Sequence, residues 1–497
     1  MSRKLLWITT SIILVTGVLA MIINRHPYVS PENRTGEKRL NQEASISSIG
    51  DFVKVDQTGY LPEYPKIAIV VDREGVGSFV VKREETDEIV FSGTLSAAIQ
   101  DLYSGDTVRF ADFSSLRSDG TYYVEVEGVG RSYPFQISAH VYDNLFFNVL
   151  RSYTLQRSNA EMNDPVTGLR HKAGHSQDAQ AVMYFSDPFH KEGDLIDVSG
   201  GWYDAGDFGK YMPSASVTVG QLLLAYELNP DHFSKGQMQF PEGLSMADRK
   251  TDMPDLLVEV KYELEWMEKM QRPDGAVYHK VGGKQWPGFI LPEEDKQKRY
   301  VYGLSHFGTA QYAGAMALAA RIYRPFDREI AARLLENAKK AQEYLESHPE
   351  GYFRNDPGQN DGSGPYDKYS DQEERFWAAA ELFKTTKDPH YEQLIEKQFK
   401  DLLAEKTAPV SWNNALALGQ WAYLTGETGN AALKDAVKKS FLREAAQILQ
   451  QIQSDGYRNS LTEDEYVWAS AKTLLERKPI VARQSNSTES GLCRGCA

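Results

Sequence analysis

Near residue 140 the spacing of apolar residues changes from two to between three and four. That change restricts the chain to a small β domain followed by a larger helical one. Between Asp51 and Ser138 the apolar residues fall in short alternating runs, among them "FVKVDQTGY", "KIAIVV", "SFVVKRE" and "GTYYVEVEG". These runs are rich in β-branched and aromatic residues, with turn residues between them at near-regular intervals. About seven strands in about ninety residues predict a β-sandwich over residues 50–139.

After His140 the pattern becomes helical. In "TDMPDLLVEVKYELEWMEKMQ" the residues Leu256, Val260, Leu264 and Met267 share one face, with Asp252 and Pro254 as the start signal and "RPDG" as the stop. Further helices are predicted at 309–323, 328–347, 371–385, 411–424 and 430–452, and stretches such as "TAQYAGAMALAA" suit close helix–helix contact. Without an alternating βα pattern, residues 140–477 read as an all-α toroid of helix pairs, with a site built from loops at one end. A solenoid would need a fixed repeat, and none is visible.

The N-terminus reads as an export signal. Arg3 and Lys4 precede an uncharged apolar run from Leu5 to Ile23, between a signal peptide and a short membrane span in length. Residues 1–23 are therefore a cleaved signal or an inner-membrane anchor, and residues 24–49 a polar linker. The body is expected to be secreted or periplasmic.

The 41% hydrophobic content supports a substantial core, and the net charge of −14 leaves no basic footprint for nucleic acid. Anionic polymers are disfavoured for the same reason. Aromatic residues make up 11%, with 27 Tyr and 8 Trp, which suits surfaces for sugar rings. The only cysteines, Cys493 and Cys496, lie in "GLCRGCA" at the end of the chain. They lack the frame of a redox or zinc site.

The chemistry concentrates in "DVSGGWYDAGDFGKYM", where Asp204 and Asp207 stand three residues apart among Trp202, Tyr203 and Tyr211. Inverting hydrolysis of a glycosidic bond uses two carboxyl groups about 6.5–9.5 Å apart. Acids this close in sequence make better sense together on the water side, one abstracting the proton and the other holding the nucleophile. Ser199-Gly200-Gly201 allows a sharp bend, and the helix N-terminus that follows favours ionised carboxylates. The bland reading is that the two aspartates cap that helix. A calcium loop fits the spacing poorly.

The same segment resembles the active-site signature of family 9 glycoside hydrolases, cellulases with an (α/α)6 barrel. "VKVDQTGYLP" and "GTYYVEVEGVGRSYPFQI" resemble the immunoglobulin-like domain that precedes the barrel in one branch. "LRSYTLQRS", "FWAAAELFKTT" and "SWNNALALGQWAYLTG" follow in the family's order. The resemblance covers roughly residues 51–475. It implies inverting hydrolysis of β-1,4-linked glucans, with Asp207 as general base, Asp204 as its partner on the water, and Trp202 and Tyr203 at the catalytic subsite. Trp286, in "GGKQWPGF", is a candidate for stacking on a sugar. The alternatives are an exo-β-glucosaminidase on chito-oligosaccharides, a non-catalytic sugar-binding remnant, and a purely structural helical domain.

Two departures stand out. Some relatives hold zinc through cysteines where this chain has Ser158 and Gly174. His171, His175 and Asp178 remain, too scattered a set for zinc, so no cofactor is expected and calcium stays open. The family's general acid is a glutamate in an "NE" motif near the C-terminus, and no match to it is present. Residues 478–497 look atypical, truncated or out of frame. Glu463, Glu465 and Glu489 are weak stand-ins, and the chain is expected to turn over weakly or not at all.

Overall fold

The computed structural model describes residues 49–475, except 73, 74, 76, 242, 243, 245–251, 350–363 and 468. The apolar run at 5–23, the linker, the two cysteines and Glu489 lie outside the described residues. Among the described residues no helix is long and apolar enough to cross a membrane.

The N-terminal part is a sandwich of two antiparallel sheets. One has the order β1-β2-β6-β5, from Val53–Lys54, Ile67–Val71, Thr107–Asp112 and Ile99–Gln100. The other is β4-β3-β7-β8, from Ile89–Thr94, Ser78–Arg83, Gly120–Val126 and Gly130–Arg131, with β9 (Phe135–Ile137) also on β7. In β2, β3 and β9 alternate residues are buried, as the period of two requires: Ala68 and Val70, Phe79 and Val81, Phe135 and Ile137. Tyr60, Phe113 and Phe135 interlock edge to face in that core. Nine strands are described against about seven expected, because short edge strands such as β5 and β8 are too brief to leave a periodic signal.

The second part is helical. Its helices are α1 (Asp143–Leu155), α2 (Met212–Leu228), α3 (Asp255–Lys269), α4 (His306–Tyr323) and α5 (Arg328–Ser347). They continue with α6 (Gln372–Thr386), α7 (Pro389–Gln398), α8 (Lys400–Ala404), α9 (Leu416–Thr425) and α10 (Ala431–Ser454). Helix α4 starts at Ser305, whose hydroxyl accepts the Gly308 N–H. Asp327 caps α5 in the same way.

The small residues act as expected. Trp377 of α6 lies against Gly220 of α2 and Gly314 of α4, where an added Cβ would stand 2.8 and 2.7 Å from its ring. The three helices can approach only because those positions have no side chain.

The toroid is not purely helical. A short hairpin pairs β10 (Met162–Asn163) with β11 (Arg170–His171). A five-stranded sheet runs β13-β12-β16-β15-β14, from Leu195–Ile196, Ala181–Met183, Tyr300–Leu304, Tyr278–Gly282 and Lys210–Tyr211. These strands read as loop in the sequence because most are two or three residues long. They hold the aspartate segment in place, since β14 begins three residues after Asp207.

The turn after α10 is one seat of the sandwich on the helical part. Asp101 Oδ1 accepts the Gly456 N–H at 3.1 Å, and Tyr457 donates its hydroxyl to Asp106 Oδ2 at 2.5 Å.

Candidate active site

The segment from Ser199 to Tyr211 is shaped by its backbone. Gly200 and Gly201 have φ of 95° and 77°, and a Cβ on Gly201 would stand 2.7 Å from the Trp266 ring. The sharp bend expected of these glycines is present, and only glycine fits it. Phe208 has φ of 53°, a costly conformation for an aromatic residue. Its ring is held between His175 and Tyr203, with centroids 5.1 and 5.2 Å away. That packing keeps the strained turn, which reverses the chain immediately after Asp207.

A buried ion cluster anchors both arms of the turn. Lys210 Nζ donates to the carbonyls of Val198 and Gly200 at 2.7 and 2.8 Å and pairs with Asp178 at 2.8 Å. Arg299 bonds Asp178 at 2.8 Å and the Phe208 carbonyl at 2.7 Å. Desolvation would raise the Asp178 carboxyl, but Arg299 and Lys210 outweigh it and hold the pKa at about 2. Glu263 of α3 accepts the Trp202 N–H at 2.6 Å, and burial pushes its pKa up to about 8.

The two aspartates are gripped separately. Asp207 takes the Gly209 N–H on Oδ1 at 3.0 Å and the Tyr211 hydroxyl on Oδ2 at 2.5 Å. Asp204 takes the Tyr366 hydroxyl on Oδ2 at 2.7 Å, and its own N–H donates to the Gly209 carbonyl at 2.9 Å. Asp204 keeps an exposed face, yet the protein crowded around it desolvates the carboxyl and raises its pKa. The Tyr366 bond opposes that rise and the charge of Asp207 adds to it. Neither aspartate caps a helix: α2 begins after Tyr211, with no side-chain cap.

Asp204 opens on a cavity of about 430 Å³, counting the solvent at its mouth. Trp202 and Tyr203 line it, with Tyr153, Gln156, Tyr211 and Glu263. Both predicted aromatics are largely buried and tied down. Trp202 Nε1 donates to Glu259 at 2.8 Å, and the Tyr203 hydroxyl bonds His175 Nδ1 at 2.6 Å. Trp286 stands apart, 50% exposed, with its ring against Gly206 between the two aspartates. Asp207 does not line this cavity.

Sequence reading missed Tyr366, Glu263, Lys280 and Arg299. Tyr366 lies 162 positions from the carboxylate it holds. Glu263 reads as one more charge on an amphipathic helix.

The residues at the zinc-like positions have protein partners. Both ring nitrogens of His175 are engaged, by Tyr203 at 2.6 Å and by Asp295 at 3.0 Å. A Cβ on Gly174 would stand 2.5 Å from that of Pro292, so a cysteine there would need the loop to move. Asp178 belongs to the ion cluster. Among the described residues no group of three His, Cys, Asp or Glu side chains could hold a metal ion.

For proton donation, Glu463 and Glu465 lie in a short turn away from the cavity lining, and Glu465 bonds the Thr462 N–H at 2.8 Å. Among the described residues lining the cavity, Glu263 is the carboxyl besides Asp204.

Comparison with known proteins gives the family and the fold. The family model described as glycosyl hydrolase family 9 matches residues 142–488, and that of the cellulase N-terminal ig-like domain matches residues 50–131. The chain is 34% identical over 435 residues to Endoglucanase D of Acetivibrio thermocellus, covering 86% of this chain and 67% of that protein. It is 32% identical to the xyloglucan-specific endo-beta-1,4-glucanase BoGH9A of Bacteroides ovatus, over 80% of this chain and 68% of that protein. Among solved structures, GH family 9 endoglucanase J30 superposes with a TM-score of 0.84 at 49% identity, covering 86% of this chain and 79% of that one.

Proposed function

The chain belongs to glycosyl hydrolase family 9, and on that premise we propose that it hydrolyses β-1,4-linked glucans with inversion, Asp207 acting as general base on a water that Asp204 helps to hold. The observation that carries this reading is the separate tyrosine on each carboxylate. A group that must take a proton along one direction is useful only if its orientation is fixed. Tyr211 and Tyr366 do this, and the Tyr366 bond favours ionised Asp204.

Trp202 and Tyr203 form the wall of the catalytic subsite, and Trp286 offers an apolar face for a neighbouring sugar. A neutral glucan suits the cavity better than an amino sugar. An amine would gain from an extra ionised carboxylate, whereas burial leaves Glu263 protonated at neutral pH. Export belongs to the same reading, because polymeric glucans lie outside the cell and the run from Leu5 to Ile23 supplies a signal.

The test separates the base from the proton donor. With 2,4-dinitrophenyl β-cellobioside the leaving group needs no protonation. The protein should release cellobiose first as the α anomer, seen by NMR. Asp207→Asn should lower the rate by about 10²–10⁴ while cellobiose still binds. An undiminished rate would remove Asp207 as the base, and binding without turnover by the parent protein would favour a sugar-binding remnant.

A further inference from the structure

We propose that Lys280 is a positioning residue for the aspartate pair, fixing the segment that carries Tyr366 and placing a positive charge toward Asp207. The inference rests on the assignment of Asp207 as base.

Lys280 is fully buried in β15, in register with Tyr211 of β14 on one side and Tyr302 of β16 on the other. Its Nζ donates to the Gly364 carbonyl at 3.2 Å, and His279 Nε2 lies 3.1 Å from the Pro365 carbonyl. These consecutive side chains therefore dock the two residues that lead into Tyr366. From there the Tyr366 hydroxyl reaches Asp204, and its ring packs 4.7 Å from that of Tyr211. Nζ also stands 5.9 Å from the centre of the Tyr211 ring, whose hydroxyl holds Asp207. One side chain thus supports the holders of both carboxylates.

The surrounding charges are consistent with that role. Asp207 and Asp367 attract the ammonium, and Tyr302 presents its ring at 5.2 Å. His279 is neutral, because burial and then Lys280 bring its pKa to about 3. Burial brings Lys280 itself down to about 7, with the two carboxylates opposing the fall. In mildly acidic solution Lys280 is charged, and removing it takes a cation away from the aspartate pair.

The test uses the full chain with 2,4-dinitrophenyl β-cellobioside between pH 4 and 9. Lys280→Met should lower kcat about tenfold and move the acid limb of the profile up by about one pH unit. KM and cellobiose affinity should stay within about twofold of the parent. Lys280→Arg, charged at every pH used, should restore most of kcat and the acid limb, and remove any decline near pH 7. A folded Lys280→Met with the parent's kcat and acid limb would overturn the proposal. So would loss of kcat and cellobiose binding together in both variants, which marks a merely structural lysine. If the Met variant does not fold, an Arg variant that keeps the parent's decline near pH 7 overturns it too. Asp207→Asn is measured in parallel: turnover surviving there refutes the base assignment whatever Lys280 does.

Discussion

Tyr366 donates its phenolic hydrogen to Oδ2 of Asp204 at 2.7 Å, although 162 positions separate them in sequence. The bond stabilises the charged carboxylate against the desolvation that raises its pKa. Tyr366→Phe should therefore raise the Asp204 pKa further and lower kcat on an aryl cellobioside by about tenfold. The pH profile checks the sign: the acid limb should move upward. A downward move would mean that Tyr366 stabilises the neutral carboxyl instead.

Trp286 tests the sugar platform. Its ring is half exposed and touches the protein at Gly206, so little folding energy depends on it. Trp286→Ala should raise KM for cello-oligosaccharides about tenfold, equivalent to about 1.4 kcal/mol, with the melting temperature nearly unchanged. Kinetics on cellotetraose that match the parent's would make the tryptophan an incidental surface residue.

The Asp178 cluster makes a stability prediction. Asp178→Asn keeps the shape but leaves Lys210 and Arg299 buried without their counter-ion, at a cost of about 3–5 kcal/mol in urea unfolding at neutral pH. The folded pKa lies below the unfolded one. The contribution of Asp178 is thus complete above about pH 4 and lost as pH falls toward about 2. Parent and variant should converge over that acid range.

Glu263 works in the opposite direction. Burial raises its pKa from 4.5 to about 8, so the folded protein binds a proton that the unfolded chain releases. The parent loses stability through this group as pH rises across that window. Glu263→Gln can still accept the Trp202 N–H through its amide oxygen but has no proton to lose. Its stability relative to the parent should grow by on the order of a few kcal/mol between pH 5 and pH 8. A difference that stays flat would show that Glu263 is already ionised.

Much of this architecture was legible because it rests on local periodicity. The alternation in "SFVVKRE" marks β3, and the spacing of Leu256, Val260, Leu264 and Met267 marks α3. The bend at Gly200-Gly201 followed from residue type alone. The catalytic surroundings were less legible, because their partners meet only through the fold. Nothing near "GPYDKYS" announces that Tyr366 will reach an aspartate on another element. Strands as short as β14 leave no period to detect. Capping of α2 by the aspartates was a sound local expectation, but two residues of β14 intervene before the helix begins.

The contact between Asp101 and Gly456 has a practical corollary for protein engineers. A Cβ at Gly456 would stand 2.7 Å from that of Asp101, so the two surfaces meet without a spacer. The sandwich is thus a buttress seated on the turn after α10, not a detachable appendage. Excising residues 50–139 would strip that turn of its carboxylate acceptors at Asp101 and Asp106. Grafting another protein's sandwich in its place would require exchanging the Gly456–Tyr457 seat along with it.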